Sequence, residues 1–279
     1  MEQGCSSSER PFIAQAPSTP QRAAAPAAGP AAAQVEAAGR QRHLCATSSH
    51  FDNLSDQYDA YAEKRLAYLE AVDAAIIAQV VGKGPCRYLD VGCGTGRLLE
   101  KLRRAAPSCR GTGIDISPQM VAICQAKGLD VQVTDFFAFQ PPVPFDVVFL
   151  EFNVFGYLLV QNGLAATVHH LRRLAGDRGT VVFDVLNPWC LTYGHLRQTV
   201  PTALARCRSL LANGGVCQFT YSVGGHPVTM GLARPGMIEA QFQAAGYRAT
   251  RHLIKYADHP WLRPLPRLLS SQILFVFAR

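Results

Sequence analysis

Apolar residues recur at helical spacing between residues 53 and 81, at Leu54, Tyr58, Tyr61, Leu66, Leu69, Val72, Ile76, Ile77 and Val80. Gly82 and Gly84 follow as stop signals, so one or two helices are predicted ahead of the first strand. The pattern then changes to short apolar runs set between helical stretches. Strands are predicted over 87–91, 111–114, 131–133, 145–150 and 180–185, with helices over 96–105, 118–127 and 163–174. This alternation reads as an α/β fold built on a parallel, doubly wound sheet. Ser117 before Pro118 supplies an N-cap and a first helical residue whose missing donor costs nothing. Pro235 opens a further helix over 236–245, and Gly246 closes it. Two more strands are predicted over 248–254 and 272–277.

Composition changes the reading of the N-terminus. Residues 1–48 are rich in Ala, Pro and Ser, and Ile13 and Val35 are the large apolar residues between Phe12 and Leu44. So little apolar surface does not offset the entropy of ordering a chain. Residues 1–48 are therefore expected to be a disordered arm and 49–279 the folded unit. Arg10, Arg22, Arg40 and Arg42 suggest an organelle-targeting peptide, but Glu2, Glu9 and Glu36 and the Pro and Gly content oppose it. The nine cysteines contain no C-x-x-C pair, which argues against a disulfide framework and a thiolate metal site and for a cytoplasmic location. The longest apolar run, 147–160, is shorter than a membrane span and contains Glu151 and Asn153. Charge is uneven: residues 191–279 carry ten Lys and Arg against two Asp and Glu. Such an excess draws anionic partners or forms a solvated basic face.

The chemistry concentrates in Tyr88-Leu89-Asp90-Val91-Gly92-Cys93-Gly94-Thr95-Gly96-Arg97-Leu98. A buried strand ends in an acid and turns through three alternating glycines into a helix. Glycine permits the tight turn and lets the backbone approach a ligand. Dinucleotide enzymes use G-x-G-x-x-G, whose third glycine allows close helix–strand packing. That position is Arg97, so a nicotinamide cofactor is disfavoured. The G-x-G-x-G spacing with Asp90 two residues ahead suits a ligand with a cationic amino-acid end. Asp115 ends the second strand, where a carboxylate accepts from ribose hydroxyls. Asp135 follows the third and is placed for an exocyclic adenine amine, with Ile116 or Phe136 against the ring. Three strand ends thus supply three acids to the sheet edge at which open α/β folds bind ligands.

These segments resemble the class I S-adenosylmethionine-dependent methyltransferases over residues 49–279, most specifically at 89–98, 113–120, 133–136 and 146–149. The resemblance implies a seven-stranded sheet of order 3-2-1-4-5-7-6 with strand seven, 272–277, antiparallel. It divides the folded unit into N-terminal helices (49–85), a cofactor-binding core (86–190), an insertion after strand five (191–233) and a C-terminal helix with strands (234–279). It implies S-adenosylmethionine as cofactor and S-adenosylhomocysteine as product. Asp90, Gly92, Cys93, Gly94 and Gly96 are carried to the methionine end, Asp115 to ribose, Asp135 and Phe136 to adenine, and Ile116, Ser117 and Met120 to the hydrophobic shell.

No catalytic residue is assigned. A sulfonium methyl is already activated, and a base is needed only where the acceptor must lose a proton; Glu151, His195 and His226 are candidates. Tyr58 and Tyr61 resemble tyrosines that cover the cofactor in small-molecule members. His169-His170 reads as a solvated helix face and not a metal site. The D/N-P-P-Y/F/W signature of amino-methylating nucleic-acid enzymes is absent after strand four, and Asn187-Pro188-Trp189 follows strand five. Residues 218–223 and 227–230 read as a hairpin over the acceptor mouth. A small-molecule acceptor, an anionic one being favoured by the basic third, is the leading expectation. An RNA or protein methyltransferase and a non-catalytic S-adenosylmethionine-binding protein are the alternatives.

Overall fold

The computed structural model describes residues 30–63, 66–190, 196–223, 226–255 and 270–279. Three helices precede the sheet: α1 (Pro30–Leu54), α2 (Tyr58–Glu63) and α3 (Leu66–Gly82). The core alternates β1 (Arg87–Val91), α4 (Arg97–Ala105), β2 (Arg110–Asp115), α5 (Pro118–Ala126), β3 (Val131–Val133), β4 (Val147–Leu150), α6 (Val154–Ala175) and β5 (Thr180–Leu186). The chain ends with α7 (Leu196–Ala212), the hairpin strands β6 (Val216–Val223) and β7 (His226–Ala233), α8 (Pro235–Gln243), β8 (Arg248–Lys255) and β9 (Ser270–Ala278).

The seven-stranded sheet runs β3-β2-β1-β4-β5-β9-β8. Because β6 and β7 pair only with each other, β8 and β9 are the sixth and seventh strands, and the order is the expected 3-2-1-4-5-7-6. Strand β9 is antiparallel to both β5 and β8. Strand β4 shows why its apolar run is continuous: Val147 and Phe149 face α3 and α4, while Val148 and Leu150 face α6. A strand covered on both faces has no polar side to show. Around Phe183 on β5 the rings of Phe155, Phe275 and Phe277 stack or tilt at centroid distances of 4.2–5.7 Å.

Three expectations are corrected. Residues 30–48 belong to α1, not to a disordered arm; residues 1–29 lie outside the described set. Alanine-rich sequence is poor in apolar bulk but is the best intrinsic helix former, and polar contacts near the C-terminal end of α1 dock it. Ser48 Oγ donates to the Ile116 carbonyl at 2.9 Å, and Asp52 Oδ1 accepts from Ser117 Oγ at 2.5 Å. Helix α6 begins at Val154, nine residues before the predicted start, because Gly163 (φ +73°) kinks it without ending it. His170 is buried, its ring centroid 4.6 Å from that of Phe136 in an edge-to-face contact, so of the two only His169 is on the solvated face.

Candidate functional site

The glycine loop is shaped from beneath. The N–H groups of Gly92 and Cys93 both donate to the Ile114 carbonyl, at 2.8 and 3.1 Å, which ties the loop to the end of β2. Gly92, Gly94 and Gly96 have φ of +72°, +53° and +78°. A Cβ on Gly92 would lie 2.7 Å from Val154 Cγ2, and one on Gly96 2.4 Å from Leu129 Cδ1. Both positions therefore need glycine for conformation and for space. Gly94 meets Tyr58, whose ring lies 3.2 Å from where a Cβ would stand, so α2 covers the loop from above. Thr95 Oγ1 donates to Asp59 at 2.6 Å and fixes that cover. The side chain of Tyr61 lies outside the described set.

Beside the loop is a cleft whose walls include Tyr58, Asp90, Gly92, Arg97, Glu151 and Phe152. Asp90 is 3% exposed, and no described residue donates to its carboxylate. Burial, reinforced by the nearby charge of Asp115, pushes its pKa up to about 8. A cation arriving at Asp90 would favour the charged form.

Asp115 is differently occupied. Its Oδ2 accepts from Gly94 N and its Oδ1 from Ser117 N, both at 2.9 Å. Burial still raises its pKa despite those two donors. Asp135 Oδ2 accepts from Phe137 N at 2.9 Å, and its Oδ1 accepts from the Gln161 amide. Both acids therefore organise loops while keeping lone pairs over. Met120 is 1% exposed and Phe136 3%, in the core, and Ile116 is half-buried. Cys93 is a buried free thiol whose pKa a bond with Cys124, and then burial, hold well above the usual range.

A charged cluster unseen in the sequence pattern closes one side of the cleft. Arg97 makes two bonds to Asp73 of α3, at 2.5 and 2.8 Å, and reaches both oxygens of Glu151 at 2.6 and 2.7 Å. Lys101 adds a 2.5 Å contact to Asp73. Burial would raise Asp73, but bonds from Arg97 and Lys101 hold it below the usual carboxylate range. Glu151 is pushed well above, by burial and by the Asp73 charge, against the pull of Arg97. Glu151 is thus the one candidate base whose side chain is described, and it is engaged; those of His195 and His226 lie outside the described set. Asn187 caps a local turn through its 3.1 Å contact from Trp189 N. Among the described residues no His, Cys, Asp and Glu grouping could hold a metal ion, and no helix is long and apolar enough to cross a membrane.

The hairpin closes against α6. Gly156 and Gly231 face each other, and a Cβ on Gly231 would lie 2.6 Å from Leu159 Cβ. Phe219 and Met230 are buried on its inner side, with Tyr157 packed against them.

A family model described as a methyltransferase domain matches residues 89–181. A demethylmenaquinone methyltransferase of Thermus thermophilus is 37% identical over 196 residues, covering 67% of this chain and 83% of that one. A protein of Geobacillus sp. (strain WCH70) described as a methyltransferase is 37% identical over 109 residues, which is 37% of this chain; the chain spans 43% of its length. Among solved structures, a 1,6-didemethyltoxoflavin N1-methyltransferase of Burkholderia thailandensis superposes with a TM-score of 0.53 at 14% identity, covering 92% of this chain and 93% of that one.

Proposed function

The chain belongs to the class I S-adenosylmethionine-dependent methyltransferases, and from that premise we propose that it transfers a methyl group from S-adenosylmethionine to a small-molecule acceptor. The observation that carries the cofactor reading is Asp90: a buried carboxylate without a described protein donor, in the wall of a cleft under a glycine loop. The ammonium of a bound methionine end is a chemical match for it. Asp115 and Asp135, at the ends of β2 and β3, retain acceptor capacity for ribose hydroxyls and an adenine amine.

S-adenosylmethionine supplies an already activated methyl group, so this chain's residues have to bind, orient and exclude water. Tyr58 and Asp59 cover the loop, and α1 packs across the N-terminus of α5. Orientation of this kind accounts for roughly 7–11 kcal/mol of a transfer barrier. Glu151, whose two oxygens are both taken by Arg97, reads as a wall of the site and not as a base.

The small-molecule reading rests on the apolar cluster in which α1, α2, α6 and the hairpin bring Phe51, Tyr58, Tyr157 and Val228 together, as suits a largely apolar pocket. The names of the Thermus and Burkholderia relatives agree with it. The basic C-terminal third favours an anionic acceptor, drawn by the field of the surface, since Arg97 in the cleft wall is already paired. A cytoplasmic location accords with the described cysteines being free thiols. Incubating the protein with isotopically labelled S-adenosylmethionine and cell extract, with mass detection of products, tests the proposal. Label in a low-mass product is expected; label only in RNA or protein would overturn the acceptor class.

A further inference from the structure

Asp184 is a buried carboxylate to which the reading above gives no task. It lies on β5, fully inaccessible, opposite Leu274 of β9. Two donors reach it, the Tyr68 hydroxyl from α3 and Asn153 N at 3.0 Å from Oδ2 and 3.3 Å from Oδ1, and the backbone N–H of Phe152 also favours its charged form. Phe152 and Asn153 are the two described non-glycine residues with positive φ, at +63° and +64°. Consecutive residues with a Cβ do not adopt that conformation unless their surroundings impose it.

The turn does not hold itself. Asn153 stands at the N-cap of α6, yet its side chain makes no capping bond, and its Oδ1 is buried with no donor. The restraint comes from Asp184, which accepts from the Asn153 N–H with both oxygens and whose charge the Phe152 N–H also favours. The consequence falls on the cleft: Phe152 is part of its wall, with its ring 6.3 Å from Tyr58 and 6.2 Å from Tyr68. Tyr68 thus touches both the carboxylate that holds the turn and the ring that the turn presents.

We propose that Asp184, anchored by Tyr68, is a positioning residue for cofactor binding: it fixes the left-handed Phe152–Asn153 turn so that Phe152 stands in the cleft wall. This rests on the cofactor reading given above. The charged form does the work, since a carboxylate accepts from the Asn153 N–H with both oxygens and from the hydroxyl, whereas a protonated one gives up an acceptor site. The titratable groups around it are Tyr68 from α3 and Glu151 one residue before the turn, whose carboxylate is directed to Arg97 and Asp73. Strand β9 offers the apolar Leu274, and α6 the Asn153 backbone.

The test is the pH dependence of S-adenosylhomocysteine affinity by titration calorimetry in the wild type, Asp184→Asn and Tyr68→Phe, with circular dichroism confirming the fold. Burial holds Asp184 at about 6, with the Tyr68 hydroxyl pulling it down. The wild type is therefore expected to lose affinity on acidification, by about tenfold one pH unit below that midpoint. Asp184→Asn should bind weakly at neutral pH and lack the step. Tyr68→Phe, which loses only a donor to the carboxylate, should move the step to higher pH. A step from Asp90, whose pKa is about 8, stays in all three. Asp184→Asn with wild-type affinity and an unchanged profile would overturn the proposal, as would a Tyr68→Phe profile that superimposes on the wild type. If Asp184→Asn fails to fold, Tyr68→Phe decides. Absence of binding by the wild type at every pH would instead overturn the cofactor reading beneath it.

Discussion

Replacing Asp115 by asparagine keeps the size of the side chain but turns one oxygen into a donor. In the structure those oxygens accept from Gly94 N and Ser117 N, so the substitution opposes a donor to a donor at one of them. Loss of a charge-assisted bond corresponds to roughly 1.5–3 kcal/mol. S-adenosylhomocysteine affinity is expected to fall by tenfold or more in Asp115→Asn, with a lowered melting temperature because the loop loses a tie. Unchanged calorimetric affinity in a folded variant would contradict the role of Asp115. Gly92→Ala should also abolish binding, because its Cβ would meet Val154. Asp90, Asp115 and Asp135 were legible because each acid ends an apolar run. Asp73 and Asp184 were not. An acid inside a helix reads as a surface residue, and the Tyr68–Asp184 bond joins positions 116 residues apart.

Helix α1 shows what composition conceals at the scale of an element. Counting large apolar side chains made residues 30–48 look unable to fold, although their alanines favour a helix, and Thr47, Ser48 and His50 mark the stretch that meets the core. Its tether is polar and specific, from Ser48 to Ile116 and from Asp52 to the cap of α5, and no periodicity signals it. Deleting residues 1–48 is therefore expected to lower the melting temperature and weaken cofactor binding, where a disordered arm would be dispensable. Thermal melts of the truncated chain check this; a melting temperature equal to that of the full chain would show that α1 contributes nothing. The strands and the hairpin, by contrast, were readable, because apolar runs, glycine stops and Pro235 are local signals, whereas the sheet order came from the family resemblance. Gly231→Ala should separate the hairpin from α6, since the added methyl would lie 2.6 Å from Leu159 Cβ. A lowered melting temperature with cofactor affinity retained is the expected outcome.

Across the whole molecule, burial raises several site acids together, Asp184 to about 6 and Asp90 to about 8. The folded chain then binds protons more tightly than the unfolded chain. The stability this contributes is complete below the ordinary carboxylate range and is lost as pH rises through 6 and 8. The unliganded protein should accordingly melt lower at pH 9 than at pH 6, and Asp90→Asn should flatten that difference; equal slopes in both would show that Asp90 is not the source. A ligand that brings a cation to Asp90 should narrow the gap as well, which links stability to function. The most direct measurement of the central claim is titration calorimetry of the full chain at pH 7.5 with S-adenosylmethionine, S-adenosylhomocysteine and NAD. Saturable one-to-one binding of both methionine derivatives, with no heat from NAD, is the predicted result; tight NAD binding with no heat from either derivative would contradict the assignment of the glycine loop and its acids.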